Sequence, residues 1–568
     1  MNTIPGKSLA SLVLAVLSPF ASLAKESDAD LCIYGATSAG IATAIQASRM
    51  GDKVVLLETG SHLGGLTTGG LGATDIGNKA AIGGISREFY ERIAKHYSQD
   101  SAWTIEKRSE YFAKKGSGQL SASDLGAPNA TMWTFEPHVA EVIFKGMLNE
   151  SGIRVVYNQH LAAVKKDGVA IREISMRNGD IYRARMFVDA TYEGDLMAMA
   201  EVSFHVGREA NSQYGETLNG IRPQTPSHQF TVPVDPYVKP GDPASGLLPF
   251  IQPGDGGKPG DGDARVQTYN YRLCFTTNAS LRMELAPPPG YDPARYELLA
   301  RYLEGLVAAG KKPQLKEFWN PIWMPNGKTD INNNGGFSTD FIGANYDYPN
   351  GDEATRARIR REHENYTRGF ITFMATSPRV PAHIRAEMQQ WGPATDEFQD
   401  TAGWPNQMYV REARRMVSDY VMTEHNCRGM VKAEDSVGLG AYNMDSHNCQ
   451  RIVRNGHVEN EGDVQVAVKP YPISYRSIVP KASQCDNLFV PVCLASTHIA
   501  YGSIRMEPVF MMLGQSAATA AHIALVEKVP VQKVNYKKLR ARLVADKQVL
   551  DWKPESPATP PQKTRTTR

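Results

Sequence analysis

Apolar and polar positions along this chain fall into blocks that predict a mixed α/β fold. Asp30–Tyr34 is a short apolar run, the pattern of a strand buried on both faces of a parallel sheet. Gly35-Ala-Thr-Ser-Ala-Gly40 follows, then an alanine-rich helical segment to Met50 and a second apolar run, Lys53–Glu58. Strand, glycine turn, helix and strand at these lengths make a Rossmann-type βαβ unit. Ser86–Tyr97 and Glu136–Ser151 carry helical spacing, while Ile153–Tyr157 and Leu161–Lys165 read as strands. Val169–Arg177 and Asp180–Arg185 form a hairpin pattern around Asn178-Gly179, and Arg185–Thr191 is another buried-strand run.

From about Gly207 to Ala264 proline and glycine dominate, as in Pro240-Gly-Asp-Pro243, which marks a boundary into an inserted domain. Helices are predicted there near Pro293–Ala309 and Glu353–Ala375. The Rossmann-type texture then returns with an apolar strand at Asn487–Leu494 and a long alanine-rich helix at Glu507–Val526. The fold class expected is α/β: a Rossmann-type FAD-binding domain, three-layered around a parallel sheet, with an inserted α+β substrate domain. The divisions expected are a signal peptide at 1–24, the FAD-binding domain in two parts at 28–206 and 425–551, the insertion at 207–424, and a Pro/Thr/Lys-rich tail at 552–568 that reads as disordered.

The 62 basic and 60 acidic residues nearly cancel, so charge offers no reason to expect nucleic acid or an anionic membrane as partner. Lys7, the apolar run Leu9–Leu17 and Ser22-Leu23-Ala24 make a secretory signal pattern, too short to span a bilayer, and predict a periplasmic or secreted protein. No twin-arginine pair precedes that run and no cysteine stands at the cleavage site, which argues against export of a folded holoprotein and against a lipoprotein. Six cysteines in an oxidising compartment permit disulfides, with Cys427 and Cys449 the first pair to test, although Cys32 and Cys493 lie in apolar strand runs. No Cys/His spacing supports zinc, and no metal is expected.

The turn keeps the outer glycines of a dinucleotide fingerprint, Gly35 and Gly40, but Thr37 replaces the middle one. Gly35 allows the tight turn, Gly40 allows close helix–strand packing, and the helix start at Ser38 and Ala39 offers N–H groups and a positive dipole end to a pyrophosphate. Glu58 closes the second strand about 20 residues past the turn, where an acid meets ribose hydroxyls and disfavours a 2′-phosphate. The segment Gly64, Gly65, Thr67, Thr68 is similar to the stretch that runs along the ribityl and pyrophosphate in FAD enzymes of the glutathione-reductase type. Asp189-Ala190-Thr191 resembles their Ala-Thr-Gly strand, and Gly514-Gln515-Ser516 resembles the C-terminal helix whose start points at the flavin. The cofactor expected is therefore FAD rather than NAD.

With these residues in view, the chain from about Asp30 to Trp552 resembles the FAD-dependent oxidoreductase family, whose bacterial members are often labelled putative xanthan lyases. Ser61–Gly65, Gly72–Asn78, Trp133-x-Phe-Glu-Pro-His138, Asp189–Asp195, Pro325–Asp330 with Asn332–Gly335, Asn443–His447, Tyr475–Pro480 and His498–Pro508 carry the resemblance. The lyase label carries little weight.

A flavin oxidase or dehydrogenase needs a base for the substrate's hydroxyl or amine proton and donors for negative charge. His447 and His498 stand in motif-dense loops of the returning segment, and Arg505 precedes the last long helix; these are the catalytic candidates, each with an ordinary packing or ion-pair role as the alternative. Tyr475 and Arg476 are candidate substrate binders, and Asp445 a candidate to orient His447. Asp330, Asn332, Asn333, Asn334, Trp319 and Trp323 suit a polyhydroxylated ligand or, equally, a polar loop beside aromatic packing. The reading is a two-electron oxidation of a small, carbohydrate-derived hydroxylated substrate. The alternatives are a non-redox flavoprotein or polysaccharide lyase with structural FAD, and a binding protein with a degenerate nucleotide site. The electron acceptor is not legible in the sequence.

Overall fold

The computed structural model describes residues 26–114, 127–223, 225 and 227–553. The proposed export segment and the tail from residue 554 onward lie outside these residues. Both predicted strands of the βαβ unit form: β1 spans Glu26–Tyr34, α1 Ser38–Arg49 and β2 Val54–Leu57. Helices α2 (Gly84–Tyr97) and α3 (Pro137–Glu150) follow, then β3 (Val155–Val156), β4 (Leu161–Asp167), β5 (Ala170–Met176) and β6 (Ile181–Asp189).

These strands make one sheet in the order β3-β2-β1-β6-β5-β4. β1 runs parallel to β2 and β6, while β4, β5 and β6 form an antiparallel meander. Alternation along β1 explains the layers. Leu31 and Ile33 join the core that holds Ile41 and Ile45 of α1, whereas Cys32 and Tyr34 join a second core with Ile171, Ile174 and Phe187. A strand buried on both faces has to be apolar throughout, which is why Asp30–Tyr34 shows no polar alternation.

Two predicted strands, Asp180–Arg185 and Arg185–Thr191, are one continuous strand. The first half of β6 pairs with β5, and its second half, Phe187 and Val188, pairs in parallel with the returning strand Leu488–Phe489. That returning strand is shorter than the predicted Asn487–Leu494, because past Phe489 the chain turns from β6 and Val490 N–H donates to the Ile478 carbonyl.

Within the insertion, β7 (Leu273–Thr276), β8 (Trp319–Trp323), β9 (Lys328–Asn333) and β10 (Gly392–Pro393) form an antiparallel sheet in the order β10-β7-β9-β8. The long helix α4 (Glu353–Thr376) lies between β9 and β10 in sequence. Two helices follow the returning strand: α5 (His498–Ile504) and α6 (Glu507–Glu527). Among the described residues α6 is long and apolar enough to cross a membrane, yet it is buried in the core against α1, and its composition reflects that burial. All six cysteines are free and buried, so the expected Cys427–Cys449 bridge does not form.

Candidate active site

Because β1, β2 and β6 run parallel, their carboxyl ends release the chain at one edge, and Gly35, Glu58 and Ala190-Thr191 converge there. Such an edge is where open parallel sheets bind ligands. Gly35 has φ +100°, and a Cβ on it would stand 2.9 Å from the backbone of Ala190 and Thr191. A Cβ on Gly40 would stand 1.9 Å from the Gly35 carbonyl oxygen, so neither position accepts a side chain. Thr37, the departure from the fingerprint, turns its hydroxyl away from the cleft: Oγ1 donates to the Ala190 carbonyl at 2.7 Å and accepts from Gly40 N–H at 3.3 Å, capping α1. The Glu58 carboxylate accepts from the N–H groups of Ala36 and Gly60, both at 2.8 Å, and burial raises its pKa.

Tyr34, Gly35, Thr37, Glu58, Gly65 and Thr191 line a cleft of about 380 Å³ that extends past Tyr192 to Gln407 and Met408. The buried acid at its ribose position, the helix start at Ser38 and the turn that admits no Cβ suit the adenosine and diphosphate of FAD. Gly64 and Gly65 make a tight turn in which Thr68 Oγ1 donates to the Leu63 carbonyl, and Gly65 sits against the Tyr192 hydroxyl.

The last helix differs from expectation. Gly514, Gln515 and Ser516 lie in the middle of α6, not at its start. Gly514 packs on the Ala39 carbonyl, Gln515 Oε1 accepts from Ile85 N–H and Ser516 Oγ donates to the Val437 carbonyl. These three residues hold α6 against α1 and its neighbours. The first turn of α6 instead supplies Glu507, whose buried carboxylate accepts from Ser38 Oγ (2.5 Å), Thr67 Oγ1 (3.0 Å) and Tyr192 OH (2.8 Å). Glu507 was visible in the His498–Pro508 motif, but its partners come from three distant segments.

The polar motif of β9 is also structural. Asp330 takes two 2.7 Å bonds from Arg272 and one from Ala73 N–H, while Lys328 Nζ lies 2.7–2.8 Å from Glu136, Asp396 and Glu397. Glu136, His138 and Glu397 are close enough to chelate an ion, but the Lys328 ammonium already stands among them. These bonds join the insertion to the FAD-binding part. Asn334 Nδ2 donates to the Lys316 carbonyl, and Trp319 is buried under Phe275. Tyr475 and Arg476 are engaged elsewhere too, with the Val531 carbonyl and with Asp435. Asp330, Asn334, Trp319, Tyr475 and Arg476 are thus each engaged in contacts within the fold.

Past Met408 the chain enters a buried polar cluster. Tyr409 OH accepts from Arg505 Nη1 at 2.7 Å, and Arg411 stacks over the same ring at 4.7 Å. Arg505 also binds Asp445, through its carbonyl and through Oδ2, each at 3.1 Å. Arg411 Nη2 lies 3.1 Å from Asp340, whose second oxygen accepts from His447 Nδ1 at 2.8 Å. Asp340, not Asp445, therefore orients His447. Asp445 stands 3.8 Å from the other ring nitrogen, outside hydrogen-bond range. Burial works against the Asp340 charge, but Arg411 and His447 overcome it and hold its pKa down to about 2. Burial and the Arg411 charge lower the pKa of His447, so its ring is neutral at pH 7. His498 is placed differently: Nδ1 is 2.7 Å from Glu412, Nε2 is 2.9 Å from Ser446, and both nitrogens are engaged in a buried setting. Arg411 and Asp340 carried no motif signal beyond the charged run Arg411–Arg415.

A Rossmann-type sheet with a glycine turn at the carboxyl ends of its parallel strands and a buried acid beside it is the arrangement of a dinucleotide-binding protein. The sequence matches the family model "FAD dependent oxidoreductase" over residues 30–543, and the chain belongs to that family. No curated protein matches the sequence. Similar solved structures include an L-amino acid deaminase from Proteus vulgaris (14% identity, 33% of this chain and 54% of that one, TM-score 0.23). A 3-ketosteroid-delta4-(5alpha)-dehydrogenase from Rhodococcus jostii RHA1 is 16% identical over 32% of this chain and 50% of its own (TM-score 0.19). A flavin-containing monooxygenase from Stenotrophomonas maltophilia is 12% identical over 29% and 38% (TM-score 0.18). This chain therefore covers between 38% and 54% of those three proteins.

Proposed function

We propose that the enzyme oxidises a C–OH group of a small hydroxylated, carbohydrate-derived substrate, with His447 as the base. The observation that carries this reading is the state of the His447 ring. Asp340 holds Nδ1–H, so the lone pair sits on Nε2, which has no hydrogen-bond partner among the described residues. Bound FAD supplies a two-electron acceptor. His447 Nε2 takes the hydroxyl proton, the carbon's hydrogen leaves with its electron pair, and a carbonyl product results. Arg411 keeps Asp340 ionised, which fixes the tautomer of His447. Arg272, Arg411 and Arg505 each already face an aspartate, so the cluster suits a neutral ligand whose hydroxyls both donate and accept. Export to the periplasm or beyond, supported by the segment Lys7–Ala24, would place the enzyme among sugars outside the cytoplasm.

The test is anaerobic mixing of holoenzyme with a panel of neutral sugars, sugar alcohols, uronates and amino acids, following the visible absorbance of oxidised flavin. Bleaching by a neutral sugar or polyol supports the proposal. Bleaching by amino acids alone, or formation of an unsaturated uronate without bleaching, sinks it.

A further inference from the structure

We infer that Glu507 is the positioning residue of the cofactor cleft: it binds the start of α1, the glycine-rich loop and the chain just past β6 into one site already shaped for FAD. The side chain is buried behind the cleft and lines none of it. It acts through three hydroxyls, one from each segment. Ser38 opens α1 one residue after Thr37, Thr67 closes the turn that starts at Gly65, and Tyr192 follows Thr191. Thr37, Gly65, Thr191 and Tyr192 all line the cleft.

The direction of these hydrogen bonds is fixed. Leu66 N–H donates to Tyr192 OH at 2.9 Å, so the phenol's own hydrogen is left for Glu507 Oε1 at 2.8 Å. The glycine-rich loop is therefore held twice, at Leu66 through Tyr192 and at Thr67 by Glu507 Oε2 at 3.0 Å. Gly65 completes the fit, since a Cβ there would stand 2.3 Å from the Tyr192 hydroxyl oxygen. The same Oε2 accepts from Ser38 Oγ at 2.5 Å, which ties the loop to the helix that follows the dinucleotide turn.

A carboxylate is a costly way to fill a core position. Among the described residues no cation pairs with Glu507, and burial raises its pKa against the pull of the three hydroxyls. Packing alone would be served by an apolar side chain. A carboxylate adds two oxygens that accept several bonds at once, and the first turn of α6 favours an acid there. Segments held in place before the ligand arrives cost it no ordering on binding, so the clamp is expressed as affinity for FAD.

The experiment strips the protein of flavin and titrates it with FAD by flavin fluorescence, well below the unfolding temperature of each variant. Glu507→Leu should weaken FAD about tenfold to a hundredfold, on the scale of the bonds lost. Glu507→Gln should bind close to wild type, because its carbonyl accepts from Tyr192 while its amide donates to the Ser38 and Thr67 hydroxyls. Thr67→Val alone should weaken FAD about two- to tenfold, and should add nothing in the Glu507→Leu background, where its bond is already gone. If Glu507→Leu does not fold, Ser38→Ala and Thr67→Val carry the test, each with that same loss. Wild-type affinity in Glu507→Leu, or in both hydroxyl variants, overturns the inference. So does Glu507→Gln as weak as Glu507→Leu, which would assign the effect to charge. A Thr67→Val loss undiminished in the Glu507→Leu background overturns it too, since Thr67 would then touch the cofactor itself.

Discussion

In the nucleotide turn, β1, the glycine turn, α1 and β2 follow one another within Asp30–Glu58, and Gly35, Gly40, Glu58 and Ala190-Thr191 come from that stretch or from the strand paired beside it. In the buried polar cluster, His447 meets Asp340 across 107 positions of sequence and Arg505 meets Tyr409 across 96. The first end depends on shape, with backbone so tightly packed that two glycines cannot be replaced. The second depends on charge, with Arg411 and Arg505 and their aspartates buried beside one histidine that keeps a ring nitrogen free. The contrast teaches that binding of the cofactor and chemistry on the substrate can be damaged separately.

The largest effect is expected at the end built by shape. Gly40→Ala puts a Cβ 1.9 Å from the Gly35 carbonyl oxygen, and the Gly35 backbone with the Ala190 Cβ at 3.3 Å leaves it nowhere to move. The variant should purify without flavin colour, or fail to fold; a yellow protein with wild-type FAD content would show that the turn is looser than its geometry states. Next comes the base. His447→Asn should keep FAD and slow flavin reduction by about 10²- to 10⁴-fold, the usual worth of general base catalysis. In the wild-type enzyme the base must be neutral, and its pKa is lowered. The reduction rate should therefore stay level through pH 7 and fall only below the ordinary histidine range. A fall centred at or above about pH 6.5, the ordinary histidine value, would exclude His447.

The smallest effect on rate is expected at the second histidine. His498→Gln breaks the bridge between Glu412 and Ser446 and should cost about 1–3 kcal/mol of stability, read as a lowered melting temperature. Flavin reduction in the surviving folded protein should change by less than tenfold. A loss as large as that of His447→Asn would return His498 to the mechanism and erase the distinction between the two loops.

The sequence displayed the nucleotide end almost completely. β1, α1, β2 and Glu58 all stand where the hydrophobic pattern and spacing put them, because a parallel βαβ unit is built from adjacent segments whose burial is written in consecutive residues. It also announced α2, α3, α4 and α6 by helical periodicity. It could not show that the Thr37 hydroxyl caps α1, that Gly514–Ser516 lie in the middle of α6 while Glu507 binds Ser38, Thr67 and Tyr192, or that Asp330 and Lys328 are held in ion pairs. Each of those facts depends on a partner far along the chain. His447 and His498 look alike in sequence, each in a polar loop of the returning segment. Only the folded chain separates them, by engaging both nitrogens of one ring and one of the other. Local order determines where the backbone turns and which strands are buried. Hydrogen bonding between distant segments decides which polar side chains are spent on holding the fold and which remain available for chemistry.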